Sequence, residues 1–315
     1  MEITPTSLQT FFQGLNFQFR DMYSKTPTFW SQVASEIPSS SEANIYPFLS
    51  MIPGLREWVG PRVVNNAALR AYILTNKHWE DTIAVDRNKL EDDQYGFYGA
   101  IAGMLGQQVA EWRDRELARV IEAGTTTLCW DGQNFFDTSH PVDPDNSAAG
   151  TNSNKLVGAT YDITGNSGDP LIAYANVKSA MALWKREDGA QIATIPDTIM
   201  VHPNQEKQGK QIRNALITMS NGTGSAGVSN VFQGDVNLII NPYLKVTTGS
   251  PWYLMKTMAS VKPFIWQNRK DAQLVARMNL TDDNVFKLRS FEWGVDLRGA
   301  AGYSFPFLCF RGSLS

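Results

Sequence analysis

The stretch LEDDQYGFYGAIAGMLGQQVAEWRDRELARVIEAG, residues 90–124, decides how the rest of the chain is read. Asp92 and Asp93 suit the positive end of a helix, and Gly124 can stop one. Between them Ile101, Leu105, Val109, Trp112 and Val120 recur at helical spacing. The spacing predicts one helix of about 30 residues, against a mean of about 11 to 12 in globular proteins. A helix that long serves as a spine for everything packed along it.

Upstream, Pro61 to Leu90 changes period. Tyr72 and Leu74, then Ile83 and Val85, are each spaced by two, with polar Asn76, Lys77 and His78 between the pairs. A long two-stranded ribbon is expected, its tip at 76–78. Two strands alone are marginal in water, so the ribbon must lie on its own body or on a neighbour. Further upstream, Thr4 and Pro5 form a good helix start. Leu8, Phe11, Phe12, Leu15, Phe19 and Met22 follow as one apolar stripe. This amphipathic helix needs a partner surface, either its own domain or a second subunit.

Downstream, CWDGQNFFDTSHPVDPDNS (129–147) collects a cysteine, a histidine and four aspartates. A nucleophilic Cys129 would need His140 within reach and a depressed thiol pKa. Asp131, Asp137, His140, Asp143 and Asp145 are metal ligands by type, but their spacing fits neither a calcium loop nor a zinc motif. The simpler reading is a rigid turn system. In it Gly132 allows a tight bend, Phe135 and Phe136 pin the loop inward, and Asp137 pairs with His140 or with backbone. Leu171 to Glu187 and Asn204 to Ile217 read as helices, and PDTIMVHP (196–203) as a short buried strand. SNGTGSAGVSN (220–230) reads as a flexible loop without phosphate-binding spacing. From residue 236 onward short strands rich in β-branched and aromatic residues dominate.

Composition narrows the function. Hydrophobic residues make up 43% and charged residues 19% of the 315, ordinary globular usage, and no apolar run approaches the roughly 20 residues of a membrane span. No membrane partner is expected. Twenty-eight basic residues against 31 acidic ones leave a net charge of −3, so contact with nucleic acid is expected to be weak and non-specific. The start MEITPTSLQTFF lacks a secretory signal, which points to a bacterial cytoplasm during synthesis. Two distant cysteines and three scattered histidines supply a catalytic constellation poorly.

EWVG (57–60), LEDDQYGFY (90–98) and CWDGQNFFDTSHPV (129–142), in that order and spacing, resemble the major head subunit of Mu-like phages and prophages. The resemblance implies an α+β chain with the tailed-phage capsid fold of the Hong Kong 97 type. Its parts would be an N-terminal arm (1–54), an E-loop ribbon (55–91), a peripheral domain with the spine helix (92–200), a mainly axial domain (201–270), and a return to the peripheral domain (271–315). It implies a structural, non-enzymatic protein without cofactor or metal. Copies of itself, as pentamers and hexamers, would enclose double-stranded DNA in a virion capsid. Other expected partners are a separate scaffold and protease, a portal and a decoration protein; no room stands before the arm for a built-in scaffold. Phe11, Phe12 and Phe19 are the expected arm anchors between subunits, and Trp58, Trp79 and Lys77 the ribbon contacts. Asn76, Lys77 and Glu80 bring to mind an isopeptide crosslink, which the resemblance does not imply. The alternatives are a phage tail or decoration module and, behind it, a cysteine- or metal-dependent hydrolase using Cys129, Asp131 and His140.

Overall fold

A computed structural model describes residues 3–49, 69–92, 96–164, 169–219, 227–245 and 249–314. Trp58, the EWVG stretch, Asp93 and positions 220–226 of the glycine-rich loop lie outside the described residues.

Helix α1 (Pro5–Lys25) begins where the sequence placed it, because Thr4 and Ser7 cap each other: Ser7 N–H donates to Thr4 Oγ1 at 3.2 Å and Thr4 N–H to Ser7 Oγ at 2.9 Å. The long helix α2 (Phe97–Ala123) has 27 residues. Its start falls after Asp92 because Gly96 takes a left-handed φ of 66°, which breaks the helical run. The two helices lie side by side. Gly99, Gly103 and Gly106 of α2 form the seat: a Cβ added at Gly106 would stand 2.3 Å from the Phe19 carbonyl oxygen. Glycine there lets the backbones touch. Leu8, Leu15 and Phe19 of α1 are consequently buried with Leu105 and Val109 of α2. The apolar stripe of the first helix finds its partner on its own chain.

A four-stranded sheet lies under α2, in the order β1 (Ala34–Pro38), β9 (Phe264–Arg277), β10 (Ser290–Tyr303), β4 (Lys77–Asp86). Strands β9 and β10 are antiparallel and 14 residues each, with register shifts on both sides of Lys270. The expected ribbon differs from the observed one. Strand β4 pairs with β10, whereas β3 (Leu69–Thr75) pairs with β2 (Ala43–Leu49) in a separate antiparallel hairpin. Asn76 is not a tip but the crossing point: it is buried, and its Nδ2 donates to Ser39 Oγ and Ser41 O, both at 2.9 Å. Pairing with β10 wins because it gives β4 ten residues of ladder on an existing sheet.

A second sheet of five strands has the order β7 (Asn237–Ile240), β6 (Thr198–Val201), β8 (Trp252–Met255), β11 (Cys309–Ser313), β5 (Lys155–Val157). Both β6 and β8 are buried at every position, so their sequences run continuously apolar or nearly so. Helices α3 (Pro170–Ala182) and α4 (Glu206–Asn214) cover this sheet, with Tyr174, Val177, Met181 and Ile212 turned into it. The last segment serves both sheets: β9 and β10 belong to the four-stranded one, and β11 lies inside the five-stranded one between β8 and β5. One core of Leu117, Ile121, Phe135, Phe136, Tyr253, Phe264 and Tyr303 joins the two sheets.

Candidate functional site

The polar loop after α2 closes on itself through its aspartates. Gly132 has φ 85°, and Phe135 and Phe136 are fully buried, which anchors the turn as the sequence suggested. The Asp131 Oδ1 accepts the Gln133 N–H at 3.0 Å and the Cys129 thiol at 2.9 Å, while Oδ2 meets His140 Nδ1 at 2.6 Å. The partner of His140 is thus Asp131 and not Asp137, whose Oδ1 accepts the Ser139 N–H at 3.0 Å. The reason is burial: Asp131 and His140 side chains are 5% and 1% exposed, and a buried imidazole needs a buried acceptor.

The chemistry of this cluster is that of a fastener. Burial pushes the Cys129 thiol well above its usual value, and the Asp131 charge beside it pushes the same way. A neutral, buried thiol is inert. For Asp131, burial works to raise the carboxyl, but hydrogen bonding and charge from His140, the thiol and the Gln133 amide together hold it below its ordinary value. The Cys, Asp and His donor atoms all lie within 4.8 Å of one another. Their separations of 2.6 and 2.9 Å are hydrogen bonds, however, whereas ligand atoms around a tetrahedral zinc stand roughly 3 to 4 Å apart. The cavity beside the cluster is about 40 Å³, far below the roughly 300 Å³ of a small-molecule site.

Asn154, which no sequence signal marked, is the hub of the loop. Its Nδ2 donates to the carbonyls of Phe135 (2.7 Å), Pro306 (3.2 Å) and Cys309 (3.2 Å). Its Oδ1 accepts the Asp137 N–H at 3.0 Å and stands 3.2 Å from His140 Nε2. Only the tertiary fold brings residue 154 to residues 306 and 309.

The residues expected at subunit contacts are placed as follows. Phe19 is buried inside its own chain. Phe11 is half-buried with its ring edge-on to Tyr98 and Trp293, and Phe12 lines an open groove of about 710 Å³ with Pro5, Leu8, Leu274 and Met278. The Trp79 ring lies tilted at 4.9 Å from Trp112 of α2 and its indole N–H donates to Gly299 O, so it too is held within the chain. Lys77 is exposed at the start of β4. The large apolar side chains turned outward are others: Phe17 on α1, Phe97 and Met104 on α2, Phe286 near the β9–β10 turn, and Ile45 and Ile73. Ile45 and Ile73 stand directly opposite each other across the β2–β3 hairpin and are 65% and 61% exposed. Exposure of this kind has no composition signal, since the exposed Ile45 and the fully buried Ile199 are the same residue type, each in a strand.

Comparison with known proteins gives a consistent picture. The family described as Mu-like prophage major head subunit gpT matches residues 8–164, 170–244 and 245–313. The chain is 28% identical over 306 residues to the major capsid protein of Escherichia phage Mu, covering 97% of this chain and 73% of that protein. It is 26% identical over 303 residues to the Mu-like prophage FluMu major head subunit of Haemophilus influenzae, covering 96% and 72%. Among solved structures it is similar to the procapsid of bacteriophage JBD30, with a TM-score of 0.59, 26% identity, and coverage of 99% of this chain and 77% of that one. The capsid of the cyanophage P-SCSP1u shares the fold at 11% identity, with a TM-score of 0.58 and coverage of 92% and 89%. The fold is that of the tailed-phage capsids, the Hong Kong 97 type.

Proposed function

Because this chain belongs to the family of the Mu-like prophage major head subunit gpT, we propose that it builds an icosahedral phage head from pentamers and hexamers of itself around double-stranded DNA. Its job is structural, and the Cys129, Asp131 and His140 cluster holds a loop rather than turning over a substrate. The single observation that carries the reading is the β2–β3 hairpin, on which Ile45 and Ile73 are exposed side by side. Large exposed apolar patches mark association sites. In a closed shell each such patch is repeated on every copy, so weak contacts sum into a stable whole.

In this reading the segment before β2 acts as the arm, the β2–β3 hairpin belongs to the E-loop, and Trp58 is one of its anchors. The four-stranded sheet with α2 is the peripheral domain, and the five-stranded sheet the axial one. Phe12 and Lys77 reach neighbouring copies, whereas Phe19 supports the arm from inside. A separate scaffold and protease, a portal and a decoration protein complete the head in the host cytoplasm, and the net charge of −3 keeps contact with packaged DNA weak. Negative-stain imaging of the purified full chain tests this: shells, tubes or rings are expected, and a monomer at every concentration overturns it.

A further inference from the structure

The two long edges of the β2–β3 hairpin differ in chemistry. Asn76 N–H donates to Glu42 O at 2.9 Å, so residues 42 and 76 form a hydrogen-bonded pair of the antiparallel ladder. Counting along the register makes Asn44 with Leu74, and Tyr46 with Tyr72, pairs of the same kind. The backbone groups of the odd-numbered residues therefore turn away from the ladder, among them Ile45 and Pro47 on β2 and Ala71 and Ile73 on β3. Pro47 checks the count independently, since a residue without an N–H fits a strand where its nitrogen faces outward. It also blocks the β2 edge, because a strand joining there finds no donor at the middle. The β3 edge carries no proline, and among the described residues no further strand pairs with it.

We propose that β3 takes an extended segment of a second copy of this chain as an added strand, on its open edge alone. The proposal rests on the reading of the chain as a self-assembling head subunit, and it adds which backbone makes the contact. The inner face of the hairpin holds the edge still. Tyr72 and Leu74 are half-buried there: Tyr303 N–H donates to Tyr72 Oη at 3.4 Å, and a Cβ at Gly302 would stand 2.8 Å from Leu74 Cδ2. Gln267 ties both strands down, its Nε2 donating to Leu74 O at 3.1 Å and its Oε1 accepting the Tyr46 hydroxyl at 2.8 Å. An edge fixed in advance loses little entropy when a strand joins it. Ladder bonds give affinity with any backbone, so supply selects the partner, and a shell of identical copies supplies the same segment beside every β3. On the outer face Ala71, Ile73 and Ile45 are exposed, which gives the added strand an apolar row to lie along. The proline on β2 keeps the sheet from growing at its other side, so the pairing ends in one contact rather than an open stack of strands.

A71P tests the edge. It removes an outward N–H directly across from Pro47 and leaves the inward ladder bonds in place. In the full chain it should melt with the parent and yield no particles in negative stain, while A71V, which keeps the N–H and suits a strand, should assemble normally. Normal particles from A71P overturn the proposal, and so does loss of particles from A71V, which would make side-chain bulk the cause. Residue-resolved hydrogen exchange on the unmodified chain gives a readout that survives a misfolded A71P. In assembled particles the Ala71 and Ile73 amides should exchange about tenfold more slowly than in unassembled subunits, whereas Tyr72 and Leu74, already paired with β2, should change little. Equal exchange of Ala71 and Ile73 in the two states overturns the added strand, as does slowing that requires a different protein. A parent chain that stays monomeric at every concentration fails the assembly reading itself, a result distinct from particles that form with this edge still open.

Discussion

Asp114 shows how one buried carboxylate organises a junction. It sits on α2, 3% exposed, and accepts the Trp30 N–H at 2.8 Å and the Phe29 N–H at 3.2 Å, which fixes the chain between α1 and β1. Arg113 beside it lies over the Trp30 and Trp266 rings. Burial pushes the Asp114 carboxyl from 3.8 up to about 6, against the two amide hydrogen bonds that pull it down. A native carboxyl above its unfolded value binds its proton more tightly when folded. Its contribution is complete below about pH 3.8 and is lost as pH rises through about 6, on the order of 3 kcal/mol at 1.36 kcal/mol per unit. D114A should cost about 1–3 kcal/mol in urea unfolding at pH 7, because two amides lose their acceptor. D114N keeps Oδ1 for both amides, removes the buried charge, and should match or exceed the wild type at that pH. A harmless D114A would refute the capping role. Cys129 and Cys309, both buried with thiols pushed far up, should resist alkylation in the native protein and react only on unfolding. Rapid native labelling of Cys129 would contradict the closed loop.

At the level of elements, the seat of α1 on α2 makes opposite forecasts for the same substitution. G106A places a methyl 2.3 Å from the Phe19 carbonyl oxygen, and backbone cannot step aside cheaply, so α1 must lift; a loss of about 1–3 kcal/mol is expected. G14A, inside α1 with nothing within 4 Å, should stabilise by about 0.5–1 kcal/mol through helix propensity. Thermal melts of the two variants should move in opposite directions, and a neutral G106A would mean that α1 does not rest there. The glycines of the 90–124 stretch were visible as letters, but periodicity counts apolar residues and passes over the small ones that set the distance between helices.

For the whole molecule, the two sheets share one core, and the β2–β3 hairpin packs on it through Tyr72 beside Tyr303 while Ile45 and Ile73 stay exposed. The double variant I45D/I73D puts two charges on the exposed face of this hairpin and leaves the core side chains unchanged. Its melting point should stay close to that of the parent, as surface changes usually lie within about 0.5 kcal/mol, while assembled particles vanish from negative-stain fields. Normal particles from this variant would remove the hairpin from the contact. Surface burial between copies at about 25 cal/mol per Å² needs only a few such side chains per contact, since closure multiplies them.

The amino-acid sequence by itself determined the long helix, the Thr4–Pro5 start of α1, the buried strand within 196–203, the inward Phe135–Phe136 pair and the resemblance to Mu-like head subunits. Each of these rests on local periodicity, capping or a contiguous motif, which act between near neighbours in the chain. Only the tertiary structure decided that Leu8, Leu15 and Phe19 of the α1 stripe are buried within their own chain, that β4 leaves β3 for β10, and that His140 answers to Asp131 and Asn154. Those choices compare partners separated by tens to hundreds of residues, and their energies depend on burial and close approach that a one-dimensional pattern does not contain.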